Sequence, residues 1–150
     1  MNNTGGSSLW PVQGGTGADW RGPIGAGLKT SFTLVFDQEQ VQRSGFINNF
    51  GHDPDGNPWL NFNVSGQPGP WPPDQFGTVI IPLGVKSKVV YSCSPNFSRT
   101  YVDGVLSGNF AGGYTMNFSD YILHSENSFF RIHDLKVWDC ALSPQQIASL

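Results

Sequence analysis

The clearest pattern along the chain is alternation of period two, the mark of a strand with one buried face. Residues 31–36 place Phe32, Leu34 and Phe36 on one side, and residues 46–50 form a short second run. Residues 59–64 set Leu60, Phe62 and Val64 inward against Asn61 and Asn63, and residues 78–81 are a fourth apolar run. Residues 85–93 group Val85, Val89, Tyr91 and Cys93 opposite Lys86, Lys88 and Ser92. Two Asp-Gly pairs punctuate these runs, Asp55-Gly56 before Trp59 and Asp103-Gly104 between Val102 and Val105. Asp-Gly suits the two-residue hairpin turn in which both central residues take positive φ. Residues 114–118, 121–124 and 129–140 complete the series. In the last of these, Phe130 and Ile132 share a face that Leu135 and Val137 then take over, so a β-bulge is expected at His133-Asp134.

Many short strands joined by Gly/Pro turns, without βαβ alternation, predict an all-β fold: a two-sheet antiparallel sandwich of jelly-roll type. Helix formers are scarce, and one short helix is expected at the C-terminal end. Ser143 is its N-cap, Pro144 stands at N1, Gln146 completes a capping box, and Leu142 and Ile147 form a hydrophobic staple. The stretch 66–77, GQPGPWPPDQFG, carries four prolines and three glycines. Missing N–H donors make it a stiff exposed loop, outside any ladder, that displays Trp71.

Composition narrows the class. The chain has 150 residues, enough for one domain with a real core. We divide it into a flexible arm over 1–8 and a sandwich domain over 9–150. The Gly/Ser/Pro-rich stretch 1–27 also has the character of an arm that orders on docking. Charged residues are 13%, about half of the usual ~25%, which excludes a coiled coil. The chain is too apolar for disorder, and no run of ~18 apolar residues is present to insert in a membrane. A net charge of −3 without a basic stripe argues against nucleic acid as a partner. The first twenty residues lack the basic and apolar regions of a secretory signal. Cys93 and Cys140 stand in no metal-ligand spacing; a disulfide and two packed thiols are both compatible with their positions.

Two segments carry a family resemblance. Residues 89–106, VVYSCSPNFSRTYVDGVL, join an alternating strand through a short turn to a Tyr-Val-Asp-Gly hairpin. Residues 129–150, FFRIHDLKVWDCALSPQQIASL, are a strand with an aspartate and an aromatic, followed by an Ala-Leu-Ser helix start. In order and separation they resemble the laminin-G-like signature of the concanavalin A-like lectin/glucanase superfamily. The resemblance implies a curved concanavalin A-like sandwich with loops gathered along one rim. Members of that superfamily bind sugars, proteins or sulfated glycans, serve as structural parts, or hydrolyse polysaccharides, so it does not choose among functions.

The chemistry favours binding over catalysis. Glycoside hydrolysis needs two carboxyl groups flanking one bond. The superfamily's glucanases take theirs from a strand motif of two glutamates separated by an aspartate. This chain has only Glu39 and Glu126, far apart, and the motifs around lyase-type His and Tyr residues are absent. No catalytic residue and no obligatory cofactor are therefore expected. Asp53, Asp55 and Asn57 offer hard oxygen ligands that suit Ca²⁺, although the same residues satisfy a hairpin turn for backbone reasons alone. Ligand contact is expected from Trp71, Trp59, Asn57 and Asp55: an aromatic face stacks on the CH groups of a sugar, and amide or carboxylate oxygens catch hydroxyls. Trp59 also has a packing role open to it, as do Trp10 and Trp138. The expected function is a non-catalytic surface module that binds glycan or a protein partner through rim loops. The alternative is a structural or decoration subunit of a larger assembly such as a virus or phage particle. Either role places the chain outside cells or on a virion surface.

Overall fold

The computed structural model describes residues 18–21, 28–42, 48–50, 60–70, 75–117, 121–125 and 129–150. The alternating runs become strands: β1 (Ala18–Arg21), β2 (Leu28–Lys29), β3 (Phe32–Gln42), β4 (Asn48–Phe50), β5 (Leu60–Phe62) and β6 (Pro68–Pro70). They continue with β7 (Lys86–Ser94), β8 (Phe97–Val102), β9 (Val105–Ala111), β10 (Met116–Asn117), β11 (Tyr121–Ser125) and β12 (Phe129–Trp138), before the helix α1 (Pro144–Ala148). One five-stranded antiparallel sheet, sheet A, has the order β12-β3-β7-β8-β9; the other, sheet B, has the order β1-β11-β4-β5-β6. β10 and β2 form a separate antiparallel pair.

The interior follows from side-chain alternation. Phe32, Leu34 and Phe36 on β3, Val89, Tyr91 and Cys93 on β7, and Ile132, Leu135 and Val137 on β12 all turn to one face of sheet A. Phe62 of sheet B meets them, with Ile81 and Met116 filling the same cluster. Phe36 joins the layers. Its ring stacks on Tyr91 at 6.1 Å and meets Phe62 edge-on at 6.1 Å. The bulge falls where the pattern placed it: the β12–β3 register skips between Ile132 and Asp134, which keeps both Ile132 and Leu135 in the core.

The opposite face of sheet A is covered by the C-terminal segment. Val35, Val90 and Tyr101 pack with Leu142, Ile147 and the half-buried Trp138. Hydroxyls of Ser31, Thr33 and Ser92 hold this segment down. Thr33 Oγ1 donates to the Cys140 carbonyl at 2.8 Å and accepts from the Leu142 amide at 2.8 Å, while Ser92 Oγ donates to the Leu142 carbonyl. The helix start is the expected capping box. Gln146 N donates to Ser143 Oγ and Ser143 N donates to Gln146 Oε1, with Pro144 in the first turn. The β8–β9 hairpin turns through Asp103 (φ 50°) and Gly104 (φ 81°), the conformation for which Asp-Gly is suited.

Five expectations are corrected. Segment 66–77 is not free of ladders: Pro68–Pro70 is β6, at the edge of sheet B. The Pro68 and Pro70 carbonyls accept from the Gly77 and Gln75 amides, so they point away from β5, and both prolines sit where an N–H would also point away. Residues 78–81 are not a strand; Thr78 N and Oγ1 donate to the Ser107 carbonyl, Val79 N donates to Ser107 Oγ and Ile81 N donates to the Gly66 carbonyl, and Ile81 is fully buried. Val64 is exposed rather than inward, because Asn63 Oδ1 accepts from the Ser65 and Gln67 amides and turns the chain just before it. Val85 is likewise exposed, and Ser87 takes the buried place on that face. Part of the stretch 1–27 belongs to sheet B, as β1 paired with β11. The remainder of the arm, including 1–8, lies outside the described residues.

Candidate functional site

The five residues singled out for ligand or metal, Trp71, Trp59, Asn57, Asp55 and Asp53, lie outside the described residues. The frame on either side of them is described. β5 and β6 pair antiparallel, with Leu60 opposite Pro70, Asn61 opposite Gly69 and Phe62 opposite Pro68. The chain therefore enters β5 immediately after Trp59 and leaves β6 immediately before Trp71 at one and the same register step. Beyond β6 the chain is closed again at once. The Gln75 amide donates to the Pro70 carbonyl at 3.4 Å and the Gly77 amide to the Pro68 carbonyl at 2.9 Å. The closure is tight: a Cβ on Gly69 would lie 2.0 Å from the Gln75 carbonyl oxygen. The ends of the segment carrying Trp71 are thus fixed to an edge strand of sheet B, whose Phe62 is anchored in the core.

The charged side chains gather elsewhere, on the outer face of sheet A near the β3–β12 bulge. Arg131 bridges Glu39 at 2.9 Å, His133 Nε2 lies 3.7 Å from the second Glu39 oxygen, Lys86 meets Asp37 at 3.4 Å, and Lys136 meets Asp134 at 2.8 Å. The hydrogen bond to Asp134 raises the Lys136 ammonium pKa above its ordinary value. The lysine and arginine ends of these pairs are partly open to water, the arrangement of a solvated face worth little in stability, whereas His133 Nε2 is itself sealed. Glu39, one of the two glutamates of the chain, is bonded to Arg131. Among the described residues no group of three or more His, Cys, Asp or Glu side chains is placed to hold a metal ion. Among them also, no helix is long and apolar enough to cross a membrane.

Both cysteines are free thiols. Cys93 faces the core, 3.4 Å from Ser98 Oγ, whereas Cys140 is exposed beyond the end of β12. Burial pushes the Cys93 pKa up to about 12, so its reactive thiolate is scarce at neutral pH. One equivalent of thiol is expected to react with Ellman's reagent in the native protein and two in denaturant. Modification of both under native conditions would show that Cys93 is not sealed.

Sequence reasoning missed one polar group on the inner face. β3 continues past Phe36 to Gln42, and its inward positions there are Gln38 and Gln40, both buried. The signal was present: Gln38, Gln40 and Gln42 extend the spacing of Phe32, Leu34 and Phe36 without a break. Polar identity made that stretch look like the end of the strand.

Sheet order, register and a core between two layers define the class: a two-sheet antiparallel β-sandwich of jelly-roll type with a short C-terminal helix. Known structures share it. Domain 4 of an extracellular arabinanase from Geobacillus stearothermophilus, in complex with arabinotriose, matches at a TM-score of 0.63 and 18% identity, over 96% of this chain and 81% of that one. A Trypanosoma rangeli sialidase mutant displaying trans-sialidase activity matches at 0.58 and 20%, over 79% of this chain and 22% of the other. The binding domain of botulinum neurotoxin serotype G matches at 0.63 and 8%, over 98% of this chain and 45% of the other. The chain thus spans about a fifth of the sialidase. At these identities the likeness is one of fold. No protein-family profile matches the sequence, and no curated protein is significantly similar to it.

Proposed function

We propose that this chain is a non-catalytic recognition module of the laminin-G-like, concanavalin A-like kind, acting outside cells and binding glycan through the loops beside β5 and β6. The observation that carries this reading is the register pair Leu60–Pro70, which brings the chain next to Trp59 and the chain next to Trp71 to one end of one ladder. Two tryptophans on segments leaving the same step suit the stacking of sugar CH faces, and Asn57 and Asp55 suit their hydroxyls. A likeness in fold to an arabinanase domain in complex with arabinotriose supports the same reading. In it, Asp53 and Asp55 serve their turn and calcium is not required.

The test is a glycan array on the 150-residue chain, run with calcium and then with chelator, followed by titration of any hit against Trp71→Ala. Removing a stacking tryptophan is expected to cost about 2 kcal/mol, roughly 30-fold in Kd. Binding should persist in chelator; loss there would assign Asp53, Asp55 and Asn57 to a metal. Absence of binding in both conditions, with self-association in solution, would replace this reading by the assembly role.

A further inference from the structure

The inward positions of β3 change character along the strand. Phe32, Leu34 and Phe36 are core, Gln38 and Gln40 are polar yet 1% and 0% exposed, and Gln42 is exposed. The antiparallel neighbour β7 and the residue before it show the same change: Val89 is buried, Ser87 opposite Gln38 is buried, and Val85 is open to solvent. On its other side Gln38 is paired with Ile132 of β12. Among the described residues neither Nε2 nor Oε1 of Gln38 has a hydrogen-bond partner, and both atoms are sealed from bulk solvent. A buried amide without a partner is costly, and a native fold keeps one where something else satisfies it.

The surroundings specify what that something is. The charged groups nearby, Asp37, Glu39, Lys86 and Arg131, pair with one another on the outer face, so among the described residues an ion at Gln38 would find no counter-charge on the inner one. A carboxamide presents a donor and an acceptor side by side. A single hydroxyl answers both, accepting from Nε2 and donating to Oε1. We propose that the inner face of sheet A carries a hydroxyl-binding site centred on the Gln38 carboxamide, near the end of the inter-sheet seam that Gln42 and Val85 open to solvent. The hydroxyl belongs either to an internal water, of which globular proteins hold about one per 27 residues on otherwise unsatisfied polar groups, or to a neutral saccharide reaching in past Gln42.

The experiment uses the full chain labelled with ¹⁵N. The Gln38 side-chain NH₂ resonances are assigned by their loss in Gln38→Met. A water–NH₂ cross-relaxation peak from a long-lived water is expected in the wild type. If arabinotriose or a neutral glucan oligomer leaves that peak intact, the hydroxyl is water's. If saccharide shifts the NH₂ resonances and removes the peak, the hydroxyl is the sugar's. Absence of both signals overturns the proposal. Gln38→Met is expected to melt within about 2 °C of wild type, because the bound hydroxyl leaves with the amide and no protein group is orphaned. A fall of about 8 °C or more would place a protein group against the amide and count against the site. The proposal does not depend on the tryptophan loops: Trp71→Ala is expected to leave the Gln38–water signal unchanged, so the two readings fail separately.

Discussion

Phe36→Ala is expected to destabilise the fold by about 3–5 kcal/mol, which for a domain of this size lowers Tm by roughly 6–20 °C. The size follows from position. Phe36 is fully buried on β3, between β12 and β7 in sheet A. It stacks on Tyr91 within its own sheet and meets Phe62 of the facing sheet edge-on. Truncation removes the apolar transfer energy of the ring, leaves a cavity between the two layers, and deletes its ring–ring interactions with Tyr91 and Phe62. Equilibrium unfolding in urea, followed by tryptophan fluorescence, reads the loss as a lower midpoint at unchanged slope. Val105→Ala is the control: Val105 is 60% exposed at the hairpin end of β9, and its loss should stay within about 0.5 kcal/mol. A cost below about 1 kcal/mol for Phe36→Ala would mean that β3 and β5 do not face each other across one core.

Gly69→Ala is expected to cost about 2–3 kcal/mol and to weaken ligand binding as well. Its Cβ would lie 2.0 Å from the Gln75 carbonyl oxygen and 2.7 Å from the Phe76 Cα. Both neighbours are backbone, so no side-chain rotation relieves the overlap. Either β6 leaves the edge of sheet B, or residues 75–77 lift away and the bonds from Gln75 to Pro70 and Gly77 to Pro68 break. Hydrogen exchange at the Gln75 and Gly77 amides is the direct readout, with protection lost in the variant. Since Trp71 lies on the segment these bonds close, affinity for any glycan found on the array should fall together with that protection. Gly104→Ala separates the effects. Gly104 has φ 81° but open space around it, so alanine there meets only the backbone preference, about 1 kcal/mol, and leaves binding intact. Wild-type affinity in a folded Gly69→Ala protein would detach the binding site from this edge.

Period-two alternation located β3, β7 and β12 because each turns a row of large apolar side chains to the core between the sheets. The Asp103-Gly104 turn, the bulge at His133 and the capping box at Ser143 were equally legible, since each depends on a few adjacent residues and on backbone conformations that few residue types tolerate. The candidate ligand residues were legible only as types: tryptophans, an asparagine and aspartates in loops. The pairing that places the chain beside Trp59 and Trp71 at one ladder step involves residues ten apart, and no local pattern encodes it.

By itself, then, the sequence determined the class of fold, the long strands β3, β7 and β12, the Asp103-Gly104 turn and the terminal helix, all of which are set by local chemistry and by burial of an apolar face. Tertiary structure alone decided the sheet order, the conversion of Pro68–Pro70 into an edge strand, the free state of Cys93 and Cys140, and the burial of Gln38. The physical reason is common to these four. Each depends on what a distant segment brings to a residue. An outer edge spares a proline the need for a donor, a face of the sheet turns one cysteine inward, and a second layer seals a glutamine whose own identity points to the surface.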